Sequence, residues 1–321
     1  MSKNFFNLSK HKRKAQRSIV GLLFLILLSG CANQTPYSKL SSTGTDSLGE
    51  SYDLTTDYVI TQYSDLTNQH SSFYTIENAN YFCIIDGGWA DNASALRQLI
   101  VAHNNHVDAW IISHPHKDHA GAFNVIMNDP QGIIIEQIYD NGFDHNFIAN
   151  AGEKYDDITV MEQYYTLTKD APNVTHLNRH ETITICGLTV DVINTYDDTT
   201  LANVGGEQDY QNNASLMLRI TNQESSFLIC SDIKYDLENY FANSVSDDEI
   251  SCDYIQVGHH GNWSLSDDFY ARTGASVFFI DAPAEMTASP DYPVSALKTR
   301  LIEKGITVFD FGTAPNRVIL H

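Results

Sequence analysis

Short bursts of apolar residues, separated by polar turns, run through most of the chain. Bursts rich in β-branched and aromatic side chains predict strands at 58–60, 72–76 and 81–85, the last stopping at Asp86-Gly87-Gly88. A helix is expected over 93–102, where Leu96, Leu99 and Ile100 recur at helical spacing. A strand around Trp110 leads into a histidine-rich stretch, and a short helix follows through Phe123, Val125, Ile126 and Met127. Residues 141–170 are polar and aromatic without a clear period and read as an inserted helical or loop region. Strands at 182–185 and 188–193 flank Cys186-Gly187 as a hairpin, and 215–220 pairs with 226–230 across Asn222-Gln223-Glu224. Further strands are expected at 254–257, 277–280, 307–309 and 317–320. Helices are expected around 237–241 and 296–304, the second stopped by Gly305 with Lys304 in its last turn. No segment repeats another. The pattern predicts one α/β or α+β domain over residues 54–321.

The first fifty residues do not share this pattern. Lys10, Lys12, Arg13, Lys14 and Arg17 precede an apolar run at 19–28 that is too short to span a bilayer comfortably. Leu28-Ser29-Gly30-Cys31 resembles a bacterial lipobox. That resemblance implies a signal peptide at 1–30, a lipid on Cys31, and a protein held on a membrane outside the cytoplasm. Residues 31–53 are rich in Ser, Thr, Gly and Asn and read as the lipidated cysteine with a flexible tether.

Composition narrows the partners. At 42% hydrophobic and 18% charged residues the chain is that of a folded protein. Six of its 19 Lys and Arg lie in the first 17 positions, so the rest carries 13 against 40 Asp and Glu, a balance of −27. Such a body repels polyanions, which disfavours nucleic acid as a partner. Cys83, Cys186, Cys230 and Cys252 each lie in or beside an apolar run. Export permits disulfides, but buried thiols fit as well, and spacing does not choose.

The chemistry concentrates after the Trp110 strand. His114, His116, Asp118 and His119 fall within six residues and carry ligand atoms suited to borderline divalent metals. Four ligands so spaced suit two ions better than one. Two other apolar runs end similarly, one at Asp232 and one at His259-His260. Residues at the same ends of neighbouring strands can converge on one cleft.

His114-x-His116-x-Asp118-His119 with Ala120-Gly121 is similar to the signature of the metallo-β-lactamase superfold. Residues 213–218, 228–232, 257–261, 305–308 and 317–319 resemble the soluble metallo-hydrolase domain of the competence protein ComEC and its relatives. The resemblance implies an α+β fold, the αββα sandwich, as a single domain. It implies one ion on His114 and His116, a second on Asp118, His119 and His259, and Asp232 bridging them, with His260 as the alternative to His259. Asp86 is expected to brace the metal loop. No histidine between Val192 and Ser215 supplies the third imidazole usual at the first ion, so Asn213 or water would complete that site. His176 and His180 come earlier, in a loop before a strand. Tyr292-Pro293 stands where relatives often carry His-Pro, so an imidazole on the substrate side is missing as well.

Two divalent ions, zinc or manganese, bridged by Asp232 would hold a hydroxide between them. With Asp118 and Asp232 as the catalytic carboxylates, this implies hydrolysis of phosphodiester bonds in a small or cell-surface substrate. Three alternatives stay open. One is a phosphocholine esterase that uses Trp89 and Trp263 as a cation–π pocket, unless those indoles only pack loops. The others are a lactone or β-lactam hydrolase, and a non-catalytic lipoprotein that keeps the fold. No general acid stands out; Lys117 lies beside the motif.

Overall fold

A computed structural model describes residues 37–151, 158–205 and 209–321. The expected signal peptide and Cys31 lie outside the described residues. Strands β1 (Thr43–Thr45) and β2 (Ser51–Asp53) form a small antiparallel pair. Here the structure differs from the expected tether. Tyr37, Leu40, Tyr52 and Leu54 are buried, Leu40, Tyr52 and Leu54 against Val59 and Ile319, so the packed chain already includes residues 37–53. Three large apolar side chains in a Ser/Thr-rich stretch, with Leu54 just after it, are enough to hold it down.

Two seven-stranded sheets follow. The first contains β3 (Tyr58–Gln62), β4 (Phe73–Glu77), β5 (Phe82–Asp86), β6 (His106–Ile112), β7 (Ile134–Asp140) and β8 (Val174–His176), closed at one edge by β16 (Asn316–Leu320). The second contains β9 (Thr182–Ile185), β10 (Leu188–Asn194), β11 (Met217–Asn222), β12 (Ser225–Ile229), β13 (Tyr254–Gln256), β14 (Val277–Pro283) and β15 (Thr307–Phe311), in sequential order. Their inner faces meet in a core that includes Ile60, Ile76, Ile85 and Ile111 from one sheet and Val190, Leu218, Ile229 and Phe279 from the other.

Because strand residues alternate faces, the intervening positions point outward and need cover. Trp110, Ile112 and Ile84 are covered by α1 (Ala93–Ala102) and α2 (Lys117–Asn128). Leu228, Ile255 and Phe278 are covered by helices over Glu238–Ser244, Asp267–Thr273 and Pro293–Glu303. The result is the four-layer αββα sandwich of the metallo-β-lactamase fold. Residues 141–170 contain helices at His145–Ala151 and Ile158–Thr168, the second packed on α2. Among the described residues no helix is long and apolar enough to cross a membrane.

The cysteines divide into two kinds. Cys83 of β5 and Cys186 of the β9–β10 turn form a disulfide that ties the two sheets together, whereas Cys230 and Cys252 are buried thiols.

Candidate metal centre

The parallel pairings β5–β6 and β12–β13 set the carboxyl ends of these strands side by side, and the ligand-type residues follow those ends. Asp86 closes β5 in a left-handed backbone conformation, φ 57°. One of its carboxylate oxygens accepts the Ser113 N–H at 2.8 Å, and the other accepts the Ser113 hydroxyl and faces His119 Nδ1 at 2.8 Å. The loop between β6 and α2 is thereby fixed at both ends, and Nε2 of His119 is turned to the cleft. Asp86 thus ties Ser113 and His119 to the end of β5.

Two glycines permit the close approaches. A Cβ on Gly121 would lie 2.6 Å from the backbone N of Ala90, and one on Gly258 would lie 2.5 Å from the carbonyl oxygen of Ile233. The first lets α2 press against the loop after β5. The second brings the turn after β13 onto the Asp232 loop. In that turn His259 and His260 both have positive φ, 47° and 53°. Two successive non-glycine residues there carry roughly 1–3 kcal/mol of strain each, a cost tolerated mainly where geometry serves a site.

Two groups of ligand atoms result, each lying within 4.8 Å of one another: Asp118, His119, Asp232 and His260, and His114, His116 and Asp232. Asp232 belongs to both. His260 Nε2 lies 3.3 Å from both Asp118 Oδ2 and Asp232 Oδ2, and His119 Nε2 lies 3.2 Å from Asp232 Oδ1. His114 Nε2 and His116 Nδ1 are 2.9 Å apart. His260 Nδ1 is buried without a hydrogen-bond partner, and His119 Nε2, Asp232 Oδ1 and His260 Nε2 make only ion-pair contacts of 3.2–3.3 Å that lack hydrogen-bond geometry. Buried polar groups left without good hydrogen bonds cost roughly 1–3 kcal/mol each, and a cation among them would remove that cost. The donor set therefore fits a divalent metal. Without one, the Asp232 carboxylate, despite burial, is held well below its usual range by His119 and His260. Burial opposes charge on His260 as well, but Asp232 and Asp118 push its pKa up to about 10. His114, buried and beside His119 and His116, is pushed well below the usual imidazole value.

Two expected assignments change. His260 enters the cluster and His259 does not: one ring nitrogen of His259 is 2.5 Å from the Asn262 carbonyl and the other faces the Asn212 amide. The left-handed turn rotates adjacent side chains apart, which sequence order does not reveal. The Asn213 side chain is committed elsewhere as well. Its oxygen accepts the Lys234 N–H and its amide donates to the Asp209 carbonyl, so it braces the loop that carries Asp232. His176 ends β8, not a loop, and pairs with Asp140; His180 lies 3.7 Å from Glu249.

The ligands open into a cleft of about 420 Å³ lined by Gln69, His70, Trp89, Lys117, Asn212 and His259 among others. Trp89 donates its indole N–H to the His70 carbonyl and carries Lys117 Nζ over its ring at 5.3 Å. His70 Nε2 lies 3.3 Å from Asp118 Oδ2. An imidazole thus stands at the cleft mouth, supplied by the β3–β4 loop rather than by the Tyr292 region. Nothing in the spacing around His70 signals this. Trp263 is 58% exposed, beside the His259 ring. A larger groove, about 650 Å³, lies near the amino ends of β5 and β6, where the Glu77 carboxylate is already paired with His103 at 2.9 Å.

Residues 66–160 match the family model described as the metallo-beta-lactamase superfamily. The match takes in His114, His116, Asp118 and His119, whereas Asp232 and His260 lie beyond the matched stretch. No curated protein sequence matches it significantly. Solved structures similar to it include the metallo-beta-lactamase fold protein YhfI from Bacillus subtilis, at 13% identity over 81% of this chain and 99% of that one, with TM-score 0.47. Igni18, a metallo hydrolase from the archaeon Ignicoccus hospitalis, aligns at 13% identity over 82% and 99%, with TM-score 0.46. A diphosphatase from the PhnP family aligns at 11% identity over 81% and 97%, with TM-score 0.46.

Proposed function

We propose that this protein is an exported, lipid-anchored, metal-dependent hydrolase that cleaves phosphodiester bonds. The observation that carries the reading is the shared carboxylate, because Asp232 faces both buried ligand groups at the floor of an open cleft. Two divalent ions held there, zinc or manganese, would supply a water-derived nucleophile at neutral pH and polarise the oxygen of the bond attacked. The chain's own residues do the rest. Asp118 and Asp232 hold negative charge at the floor, and His70 stands on the solvent side of Asp118. Lys117, seated on Trp89, offers a cation to the non-bridging oxygens of a phosphodiester at the cleft mouth.

Because Lys117 covers a face of Trp89, that indole is poorly placed to receive a quaternary ammonium, which argues against phosphocholine as the substrate group. The Cys83–Cys186 disulfide supports an oxidising compartment, in keeping with the lipobox-like Leu28–Cys31 sequence. The substrate favoured is a small or surface phosphodiester.

The full-length chain in detergent should contain metal by mass spectrometry and hydrolyse bis-p-nitrophenyl phosphate in preference to p-nitrophenyl phosphocholine or a chromogenic β-lactam. Hydrolysis of the lactam alone, or inert protein after zinc and manganese addition, overturns the assignment. For the anchor, Cys31→Ser should move the protein from the membrane to the soluble fraction.

A further inference from the structure

The group formed by His114, His116 and Asp232 offers one ligand fewer than its neighbour, and Asn213, the residue expected to help, is committed elsewhere. Its neighbour Asn212 is not. Asn212 sits in the short helix Tyr210–Asn213, is 8% exposed, and lines the same cleft as His116 and Asp232. Its side-chain nitrogen donates to Asp209 Oδ2 at 2.8 Å and lies 3.4 Å from His259 Nε2. A carboxylate and an imidazole nitrogen on that side fix which end of the amide is which, so the nitrogen faces them and Oδ1 faces away. Oδ1 is then a buried acceptor with no partner.

We propose that Asn212, through Oδ1, completes the protein ligand set of the ion held by His114, His116 and Asp232. Amide oxygen is an accepted donor for divalent cations, though a weaker one than imidazole. The residues around it are arranged to present it. Asp209 is anchored by Lys234 Nζ at 3.0 Å and accepts the Asn212 backbone N–H at 3.2 Å as well as the side chain. Its oxygens are spent, which leaves Asn212 to face the ion. His259 has its other nitrogen at the Asn262 carbonyl, so its Nε2 is held facing the Asn212 amide nitrogen and, with Asp209, turns Oδ1 the other way. This assigns His259 a role as a positioning residue and accounts for its strained place beside a ligand.

The inference rests on the two-ion reading of the site and is independent of which bond is cleaved. The test is zinc stoichiometry and affinity of the full-length chain, followed by titration calorimetry and by the visible spectrum after cobalt substitution. Wild type should bind two ions, the weaker of which loses roughly 10–100-fold in affinity in Asn212→Ala, while the tighter ion is unchanged. His259→Ala should weaken the same ion by a smaller factor. Asn212→His should keep two ions and alter the cobalt spectrum, and it decides the matter if the alanine variant fails to fold. The proposal is overturned if Asn212→Ala binds two ions with unchanged affinities, if Asn212→His leaves the cobalt spectrum as in wild type, or if wild type accepts one ion only. Two bound ions with no phosphodiester hydrolysis would refute the proposed substrate and leave this assignment standing.

Discussion

At the scale of single residues the centre depends on Asp232, the one side chain common to both ligand groups. Asp232→Ala should therefore release metal from both positions and abolish turnover, with the fold retained by circular dichroism. His176→Ala is the contrasting case, since His176 lies outside both groups and pairs with Asp140. Its hydrogen bond to Asp140 raises its pKa above the ordinary 6.5. A folded-state pKa above the unfolded one means that the pair stabilises fully below about pH 6.5 and loses that contribution as pH rises through the folded value. The stability gap between wild type and His176→Ala in urea unfolding should accordingly be widest in mild acid and close in alkali, with activity little changed. Lys117 makes a third test. Lys117→Ala should raise KM for bis-p-nitrophenyl phosphate roughly tenfold, the equivalent of ~1.4 kcal/mol, without changing the metal count. An unchanged KM would remove Lys117 from substrate binding.

The elements were readable to different degrees, and the reason is periodicity. Strands such as β5 and β12, flanked by turns and built from β-branched and aromatic residues, stand where the apolar bursts predicted them. The helices within 141–170 carry a weaker apolar face and gave no period to read. The segment at 37–53 misled because its composition is that of a linker while Tyr37, Leu40 and Tyr52 within it are buried. The disulfide joins β5 to the β9–β10 turn across 103 residues, a contact that neither strand's pattern encodes. Cys186→Ser should lower stability by roughly 2–4 kcal/mol in denaturant titration. Metal uptake should be retained, because the bond lies in the sandwich and not among the ligands. Loss of metal with the disulfide would show that the bond also sets the position of Asp86.

For the whole molecule the governing property is charge. Beyond residue 30, 13 Lys and Arg face 40 Asp and Glu. An oligonucleotide approaching this body meets repulsion that salt screens, so kcat/KM for such a substrate should rise between about 50 and 200 mM salt, while that for a small diester stays nearly flat. A steep fall with salt would instead reveal a basic track and favour nucleic acid. Local order along the chain was enough to read one α/β or α+β domain and the strand ends that carry the candidate ligands, because strand ends and a six-residue motif are properties of neighbours in sequence. The sandwich and the bracing role of Asp86 came from the family resemblance. The selection among those candidates was not local. Whether His259 or His260 joins the ligand cluster depends on two left-handed backbone conformations, and whether Asn212 or Asn213 lines the cleft depends on hydrogen bonds to Asp209 and Lys234. His70 and Lys117 meet at Trp89 only because Gly121 lets α2 close on the loop after β5. Contacts between segments far apart in sequence settle such choices, and they exist only once the sandwich has closed.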